Sequence, residues 1–485
     1  MKKTLAMFLA LAMMLTCFAM PAALAEESTK LVWWTLIPQD APIDAQKVLD
    51  AANAYSQEKI GITVDLQFKT SDQLKLDLNT GEYYDLIFTC EWDNKFDLNA
   101  QDGLYYDITD LVKKETPALY DAIDPYWVAG SLDERILGIP TLKDIAVEVF
   151  FRMNTDYFEG EKGMTVPDSM AFADLAPYLE AWKADHPNEY PLHMTKSGLS
   201  GFANGMERIV SSYLVIPFSA AGTENGTKVI PLWESEEYMD MLRLLHTWYE
   251  AGYINPDAAT NESLPMELRT PVRSGTAWKG YKGWSNPETY GFNVKLVQYI
   301  GPYMSRATMQ GSLVAVNAAA KEENAIAALK YMELLYTDTK FRDILGYGLE
   351  GEHFNYLENG TVLRTETGTN NYSMDLYVTG PAVSASILSG SETVLGDPNQ
   401  WKLVYDGYKE ATVSDTQGFA FNGESTADLR TALYAVYQNY MAELVTGTSN
   451  PDEAMKKMAD EMYAIGLQQV IDEAQGQLDA YLASR

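Results

Sequence analysis

The apolar and polar positions of the first hundred residues predict a β-α-β-α-β order. The continuous apolar run from Leu31 to Leu36 is typical of a buried strand. A helix from Asp44 to Lys59 is predicted next, because its apolar residues fall on one face and Gly61 ends it. The next predicted elements are a strand at Ile62–Phe68, a helix at Ser71–Thr80 stopped by Gly81, and a strand at Asp85–Thr89.

This order predicts a parallel sheet with right-handed crossovers. Ligands of such sheets bind beyond the carboxyl ends of the strands. The residues at those ends are Ile37 to Asp40 after the first strand and Glu91 to Asn94 after the third. We therefore expect a binding edge that includes both segments.

The rest of the chain is less regular, and Met206 to Lys282, which is rich in Gly, Pro and Trp, shows no clear strand pattern. We expect the strand at Val147–Phe151 to cross into a second lobe. The other predicted elements are strand character at Ile136–Pro140, a helix at Phe172–Ala184, a strand at Gly311–Val316, a helix at Glu322–Tyr336, and two long amphipathic helices at Thr426–Val445 and Pro451–Leu482.

The first 25 residues have the pattern of a signal peptide. Lys2 and Lys3 precede an apolar run from Thr4 to Met20, and Ala23-Leu24-Ala25 offers the small-x-small pattern of a cleavage site. The run is short for a membrane span and lacks a stop-transfer flank. We expect cleavage before Glu26 and an extracytoplasmic protein, which is secreted, periplasmic or held at the cell surface.

Cys17 offers the alternative of a lipid anchor, which the pattern disfavours. Thr16 stands where a lipoprotein signal usually has Gly or Ala, and no Gly/Ser tether follows the Cys. Cleavage after Ala25 leaves Cys90 as the single cysteine, so no internal disulfide forms. We expect Cys90 to be a core thiol at a strand end.

The composition and net charge of the chain limit which kinds of molecule it is expected to bind. The chain has 485 residues, enough for two or three domains, and a net charge of -32 from 36 basic and 68 acidic residues. Such a charge is repelled by nucleic acid and by anionic lipid surfaces, so neither is an expected partner. Some of the 31 Tyr and 10 Trp residues, set beside polar groups, would suit a carbohydrate site, since sugar rings stack on aromatic rings.

The sequence contains no HExxH, CxxC, Walker A or GxSxG motif, and its four histidines are scattered. We expect no catalytic residues, metal or cofactor. Asp97 to Gly103 resembles a calcium loop, but its glycine is one place late and Ile108 stands at position twelve, so we interpret it as a solvated acidic loop. The sequence does not exclude a pair of carboxylates for glycoside hydrolysis, because among 68 acidic residues some pairs lie close together by chance.

Three segments together resemble the extracellular solute-binding proteins of bacterial ABC importers, in the branch with a C-terminal domain of unknown function. The first runs from Asn79 to Trp92 and continues through Gly103 to Leu111. The second is Gly346 to Phe354, and the third is Gly418 to Phe421 with the closing helices. The similarity covers nearly all of the chain after residue 25.

This resemblance implies an α/β, two-lobed, periplasmic-binding-protein-like fold of type II, with the cleft between the lobes and a helical C-terminal segment. The expected division is a signal peptide at 1–25, the first part of the N-terminal lobe at 26–150, the C-terminal lobe at 151–310, return segments and hinge at 311–425, and C-terminal helices at 426–485.

The implied function is capture of a small-molecule ligand, an oligosaccharide, by a monomer that delivers it to the membrane permease subunits of an ABC importer, without chemistry. A secreted glycoside hydrolase is one alternative. A sugar-binding sensor or adhesin without transport is another. Breakdown of the ligand would indicate the first, and a gene neighbourhood without permeases would indicate the second.

The best candidate ligand contact is Trp92, because it follows the third strand, with core packing as an equal alternative. Glu91 and Asp93 flank it and offer charged acceptors for sugar hydroxyls, although a solvated loop is an equal alternative. Trp33 and Trp34 alternate, so they face opposite sides of the sheet, and we take Trp34 as a candidate for the cleft.

The other candidates lie further along the chain. They are Lys143 and Asp144 in a segment that the resembling family uses at the cleft, Trp278 and Trp284 in a Gly-rich stretch, Gln310 before a strand, and Glu350 and His353 in the second family-like segment. For Gln310 we expect a hydrogen bond across the cleft. For Trp278 and Trp284 we expect stacking from the second lobe. For Glu350 and His353, packing within a lobe is the alternative.

Overall fold

The computed structural model describes residues 29–37, 40–142, 145–201, 205–210, 213–217, 224–264, 269–277, 290–358, 362–372, 374, 387–389 and 400–485. The predicted signal peptide, Cys17 and the cleavage site lie outside these ranges. Within them, no helix is long and apolar enough to cross a membrane.

The described elements comprise strands and helices numbered here in chain order. The strands are β1 Thr29–Leu36, β2 Ile62–Lys69, β3 Leu86–Thr89, β4 Ser131–Leu132, β5 Arg135–Ile136, β6 Ile139–Pro140, β7 Val147–Asn154, β8 Met206–Val210, β9 Leu214–Pro217, β10 Ile230–Pro231, β11 Val272–Ala277, β12 Val294–Met304, β13 Leu313–Val316, β14 Phe354–Tyr356, β15 Val362–Arg364, β16 Ile387–Ser389 and β17 Thr412–Val413. The α-helices are α1 Ala45–Ile60, α2 Ser71–Thr80, α3 Phe96–Gln101, α4 Thr109–Glu115, α5 Pro117–Ile123, α6 Ala176–Asp185, α7 Glu236–Glu250, α8 Arg306–Met309, α9 Glu322–Thr337, α10 Thr339–Tyr347, α11 Glu366–Asn371, α12 Gln400–Glu410, α13 Ala427–Val445, α14 Pro451–Ile465 and α15 Leu467–Ala483.

The first lobe is built on a five-stranded sheet in the order β2-β1-β3-β13-β6. β1 pairs in parallel with β2 and with β3, as the sequence predicts. β13 comes from much later in the chain and runs antiparallel between β3 and β6. β6 therefore runs in the same direction as β3, and its carboxyl end lies at the same edge of the sheet.

Local sequence signals explain the helices of this lobe. Thr70 caps α2, because its hydroxyl accepts the Gln73 N–H and the Gln73 side chain accepts the Thr70 N–H. Gly61 and Gly81 end α1 and α2 with φ of 72° and 74°, a left-handed geometry that glycine adopts without strain. These bounds match the predicted helices.

The sheet of the first lobe is buried on both faces, as a parallel sheet requires. Trp33 packs into the cluster that includes α1 and α9, and Trp34 packs into a second cluster with Tyr84 and Phe96. The predicted opposite orientation of the two tryptophans is therefore confirmed. Cys90 is fully buried and unpaired after β3, in agreement with its prediction as a core thiol.

Three segments connect the lobes. β7 follows β6 directly and begins the second lobe, where it is central to the sheet β11-β7-β12-β17. The chain returns between β12 and β13, through the short helix α8. α12 packs its Tyr408 into the core of the first lobe, and β17, which follows it, pairs with β12 of the second lobe.

The second lobe has two hydrophobic clusters. One lies between β7 and the helices α6 and α7 and includes Phe151, Met153 and Trp248. The other joins the sheet β10-β9-β8 to the three C-terminal helices. The C-terminal segment is therefore an integral part of this lobe.

The C-terminal segment corrects one predicted helix. The sequence predicted a single helix from Pro451 to Leu482, but it is divided into α14 and α15 at Gly466. Gly466 has a φ of 129°, which L-residues with side chains rarely adopt, so the chain turns there. Leu467 immediately after the turn is fully buried in the second cluster.

Candidate functional site

The carboxyl edge of the first-lobe sheet faces the connections between the lobes. β3 ends there and leads into Glu91, while β13 begins there after Gly311, since it runs antiparallel. β6 ends there at Pro140, and Thr141 is tied to the return connection by its N–H, which donates to the Ser312 carbonyl at 3.0 Å. This edge therefore joins strand ends and two lobe connections.

Trp92 is the exposed aromatic side chain at this edge. It is 49% exposed, although tryptophan is usually well covered. Its indole Nε1–H donates to the Gly311 carbonyl at 2.8 Å, and its ring lies 5.9 Å from the Phe88 ring. The sheet and the return connection thus hold the ring in place, while about half of its surface remains exposed.

Asp93 is positioned next to this ring by a network of polar contacts. Its Oδ1 accepts from the Ser71 hydroxyl at 3.0 Å and from the Asn94 N–H at 2.9 Å, and it lies 3.3 Å from the Lys75 ammonium. In the described part of the chain, these contacts use Oδ1 alone. The second carboxylate oxygen can therefore accept a ligand hydroxyl.

Glu91 is fixed by its backbone. Its N–H donates to the Gln310 carbonyl at 2.9 Å, and its own carbonyl accepts from the Lys95 ammonium. We call the group of Ser71, Glu91, Trp92, Asp93 and Gly311 the Trp92 edge.

Gln310 was predicted to hydrogen-bond across the cleft, and the structure places it elsewhere. Its side chain is 2% exposed, and its amide donates to Asp97 Oδ1 and to the Ala129 carbonyl, both at 2.9 Å. Both amide protons are therefore used within the first lobe. Gln310 holds the return connection against that lobe.

Arg306, which sequence analysis missed, is the centre of that connection. Its buried guanidinium grips Asp97 with two hydrogen bonds of 2.6 and 2.9 Å and also donates to the Ser131 carbonyl at 2.9 Å. Burial by itself lowers the Arg306 pKa, but the carboxylates of Asp97 and Glu207 outweigh it and raise the pKa above its ordinary value.

Glu207 anchors the same helix from the second lobe. Its carboxylate accepts the Arg306 backbone N–H at 3.1 Å, at the start of α8. Burial raises the Glu207 pKa, while hydrogen bonds from the N–H groups of Arg306 and Ala307 oppose that rise. Asp97, Arg306 and Glu207 thus link both lobes through one turn of helix, and we call them the hinge cluster.

The structure therefore contradicts the prediction of a solvated loop for Asp97. The sequence suggested a solvated acidic loop at residues 97–103, but Asp97 opens helix α3 and its carboxylate is paired with Arg306. The sequence gives no signal for this pairing, because the two residues are 209 positions apart.

The predicted role of Trp34 as a cleft residue is also wrong. It is 1% exposed, with Tyr84 packed against its ring and the Lys69 ammonium 4.8 Å from the ring centroid. A side chain so enclosed contributes to the core and offers no surface to a ligand.

In the second family-like segment, His353 is part of the packed interior of the first lobe. Its ring is fully buried, Nδ1 accepts the Leu349 N–H at 2.9 Å, and Nε2 lies 3.2 Å from Asp44 Oδ2. Since Nδ1 is an acceptor, Nε2 carries the proton and donates to Asp44. We call Asp44, Leu349 and His353 the His353 corner, and it fastens this segment to the start of α1.

The neighbours of His353 do not change this assignment. Glu350 is exposed beside the corner, while Glu352 pairs with Lys47. Asp44, Glu352 and His353 bring three ligand-type atoms within 4.8 Å of one another. Both His353 nitrogens are already engaged in hydrogen bonds, so the ring has no lone pair directed at a metal ion.

Four predicted contacts lie outside the described residues. They are Lys143, Asp144, Trp278 and Trp284. Their predicted roles remain predictions.

Comparison with known proteins shows which family and fold the chain resembles. The family model described as "Domain of unknown function (DUF3502)" matches residues 415–483. A curated relative from Streptococcus pneumoniae serotype 4, named carbohydrate ABC transporter substrate-binding protein, is 26% identical over 459 residues, which cover 92% of this chain and 90% of the relative. The resemblance to solute-binding proteins of ABC importers is confirmed.

Solved structures show the same fold. The N-glycan transport solute binding protein NgtS from Streptococcus pneumoniae has a TM-score of 0.81 and 24% identity, covering 94% of this chain and 99% of that chain. Its complexes with Man1GlcNAc and Man5GlcNAc have TM-scores of 0.72 and 0.70 at the same identity. The predicted two-lobed type II fold is thereby confirmed.

A second curated relative is the lipoprotein LipO of Bacillus subtilis. It is 25% identical over 263 residues, which cover 53% of this chain and 50% of the relative.

Proposed function

We propose that this chain is an extracytoplasmic solute-binding protein that captures an oligosaccharide and delivers it to the permease subunits of an ABC importer. The observation that carries the proposal is the half-exposed Trp92 ring beside Asp93, at the sheet edge where the lobes connect. An aromatic face with acceptors beside it suits the apolar face and the hydroxyls of a sugar. The names of both the curated Streptococcus pneumoniae relative and NgtS support transport.

The hinge cluster supports closure of the lobes around the ligand. Two lobes joined by short connections can rotate about a few residues, and the Trp92 edge lies directly beside one of these connections. The chain is more similar to the NgtS structure described without a glycan, at a TM-score of 0.81, than to the complexes with Man1GlcNAc and Man5GlcNAc, at 0.72 and 0.70. We propose that the described geometry is the open form.

The extracytoplasmic location and the monomeric state are parts of the same proposal. The signal-like first 25 residues support export, and the named lipoprotein among the relatives keeps an anchor at Cys17 as the alternative. Mass spectrometry of the native protein distinguishes Glu26 as the first residue from a diacylated Cys17.

The test of the proposed function is binding followed by recovery of the ligand. Calorimetry with mannose- and N-acetylglucosamine-containing oligosaccharides should give a saturable signal, and small-angle scattering should show a smaller radius at saturation. The ligand should be recovered intact after overnight incubation. Shortened saccharides would establish a glycoside hydrolase instead, and saturable binding with an unchanged radius would contradict closure.

A further inference from the structure

Two arginines face each other on the second-lobe sheet. Arg152 on β7 is directly opposite Arg273 on β11 in the antiparallel register, so both side chains lie on the same face. That face is the one opposite Phe151 and Met153, which point into the core of the lobe. Like charges directly opposite one another destabilise a strand pair, so this arrangement calls for a physical reason.

Arg152 is buried without a carboxylate partner in the described part of the chain. It is 6% exposed, and its Cζ lies 4.0 Å from the centre of the Tyr290 ring. Among the described residues, its Nε has no hydrogen-bond partner. Burial lowers the pKa of Arg152, Tyr290 opposes this through its charge and a hydrogen bond, and the charges of Arg273 and Arg269 add to the lowering. An unsatisfied buried donor of this kind is rare in folded proteins.

His193 extends the same group. Leu192, its neighbour, bridges to Val272, the residue before Arg273, so His193 lies beside the arginine pair. Its Nδ1 is buried and has no hydrogen-bond partner in the described residues. Burial lowers the His193 pKa and Arg273 lowers it further, while the Tyr190 backbone, Asp257 and Glu189 act in the opposite direction.

The group is accessible from one side. Arg273, His193 and Tyr290 are each half-buried, whereas Arg152 lies at the bottom. Arg152 is five positions along β7 from Val147, about 17 Å into the second lobe at the usual rise of a strand. The group therefore belongs to the second lobe, whereas the Trp92 edge belongs to the first.

We propose that Arg152, Arg273 and His193 form a binding site for an oxyanion group, such as a carboxylate or a sulfate. A guanidinium presents two parallel N–H donors that match the two oxygens of such a group. A bound anion would satisfy the Arg152 Nε and remove the repulsion between the arginines. In a chain with a net charge of -32, a recessed pair of cations is also a selective site for an anion.

The test uses the full protein and two probes. Sodium sulfate is titrated against sodium chloride at equal ionic strength, and glucuronate is titrated against glucose. Binding is followed by melting temperature and by the NMR signals of the four histidines, with His193 assigned from its loss in His193→Gln. We expect sulfate, glucuronate or both to stabilise the protein and shift the His193 signal.

A matched pair of variants tests whether the anion binds at the proposed site. Arg273→Gln should weaken binding at least tenfold, whereas Arg208→Gln, which removes the same charge from an exposed position on β8, should leave it unchanged. If Arg273→Gln does not fold, His193→Gln takes its place as the variant expected to lose affinity.

The outcomes separate the sources of the anion. Binding of sulfate alone indicates a free inorganic anion, and binding of glucuronate alone or of both indicates an acidic group on a larger ligand; each supports the site. The proposal is overturned if neither probe shifts His193, or if both Arg273→Gln and His193→Gln bind as tightly as the wild type. Neither probe is a neutral oligosaccharide, so failure here leaves the proposed function intact.

Discussion

The Trp92 edge and the His353 corner both belong to family-like segments, yet the structure gives them opposite environments. Trp92 keeps half of its ring exposed while its N–H is fixed by Gly311. His353 is fully buried, and both of its nitrogens hydrogen-bond within the first lobe. Polar and aromatic residues in a family motif can thus serve either a ligand or the internal packing.

The difference between the two regions lies in what surrounds each segment. The Trp92 edge follows a strand that ends at the connection between the lobes, and Trp92 is half exposed there. The His353 corner lies between α10, β14 and the start of α1, so packing encloses it on all sides. Exposure at a lobe connection, rather than membership in a motif, is therefore the basis on which we propose the binding surface.

The largest effect is expected from the hinge cluster, which lies beside the Trp92 edge. Arg306→Met removes the guanidinium and leaves the Asp97 carboxylate without its cationic partner, while Glu207 keeps its hydrogen bond from the backbone N–H of residue 306. Breaking a buried pair in this way costs about 3–5 kcal/mol. Urea unfolding should show that loss of free energy. The double variant Arg306→Met with Asp97→Leu should recover part of it, because it leaves fewer unpaired charges.

A loss below about 1 kcal/mol in Arg306→Met would show that the pairing contributes no more than an exposed ion pair. In that case the hinge cluster would not hold the lobe connection, and the assignment of α8 as hinge would have to be abandoned.

A smaller effect on stability, with no effect on affinity, is expected at the His353 corner. His353→Leu leaves the Leu349 N–H without its acceptor, whereas Asp44 keeps its hydrogen bond from the Asn371 amide. One buried unsatisfied group costs about 1–3 kcal/mol. Glu350→Ala, an exposed change three residues away, should leave the melting temperature unchanged. Reduced affinity in a normally stable His353→Leu protein would return this corner to the binding site.

The smallest expected effect concerns chemical labelling of Cys90, which tests where solvent exposure begins along the segment that leads to Trp92. Cys90 is fully buried two residues before Trp92, and burial raises the pKa of its thiol to about 12. Iodoacetamide at pH 8 should therefore leave Cys90 unmodified in the native protein and label it in urea, as judged by peptide mass spectrometry. Rapid labelling of the native protein would mean that the edge opens at Cys90 as well.

Much of the fold could be predicted from sequence because its signals are local. Caps and glycines set the ends of α1 and α2, and continuous apolar runs marked β1 and β3. Gly466 was the exception, since an amphipathic pattern continues across it and only its φ of 129° reveals the turn.

The candidate site could be predicted only in part, because its organisation depends on distant residues. Trp92 was found from its place after a strand, which is local information. The Arg306–Asp97 pair joins residues 209 positions apart, and the burial of Trp34 and Gln310 depends on neighbours from other elements. Patterns along the chain carry no record of such contacts.

The most direct test of the central claim is the affinity of Trp92→Ala for an oligosaccharide that the wild type binds. Loss of an aromatic anchor should cost about 2 kcal/mol, close to a thirtyfold weaker Kd by calorimetry. The melting temperature should change little, because half of the ring is already exposed. Tyr463→Ala, which removes a 40% exposed aromatic from α14, should bind normally. Wild-type affinity in a folded Trp92→Ala protein would contradict the assignment of this edge as the ligand site.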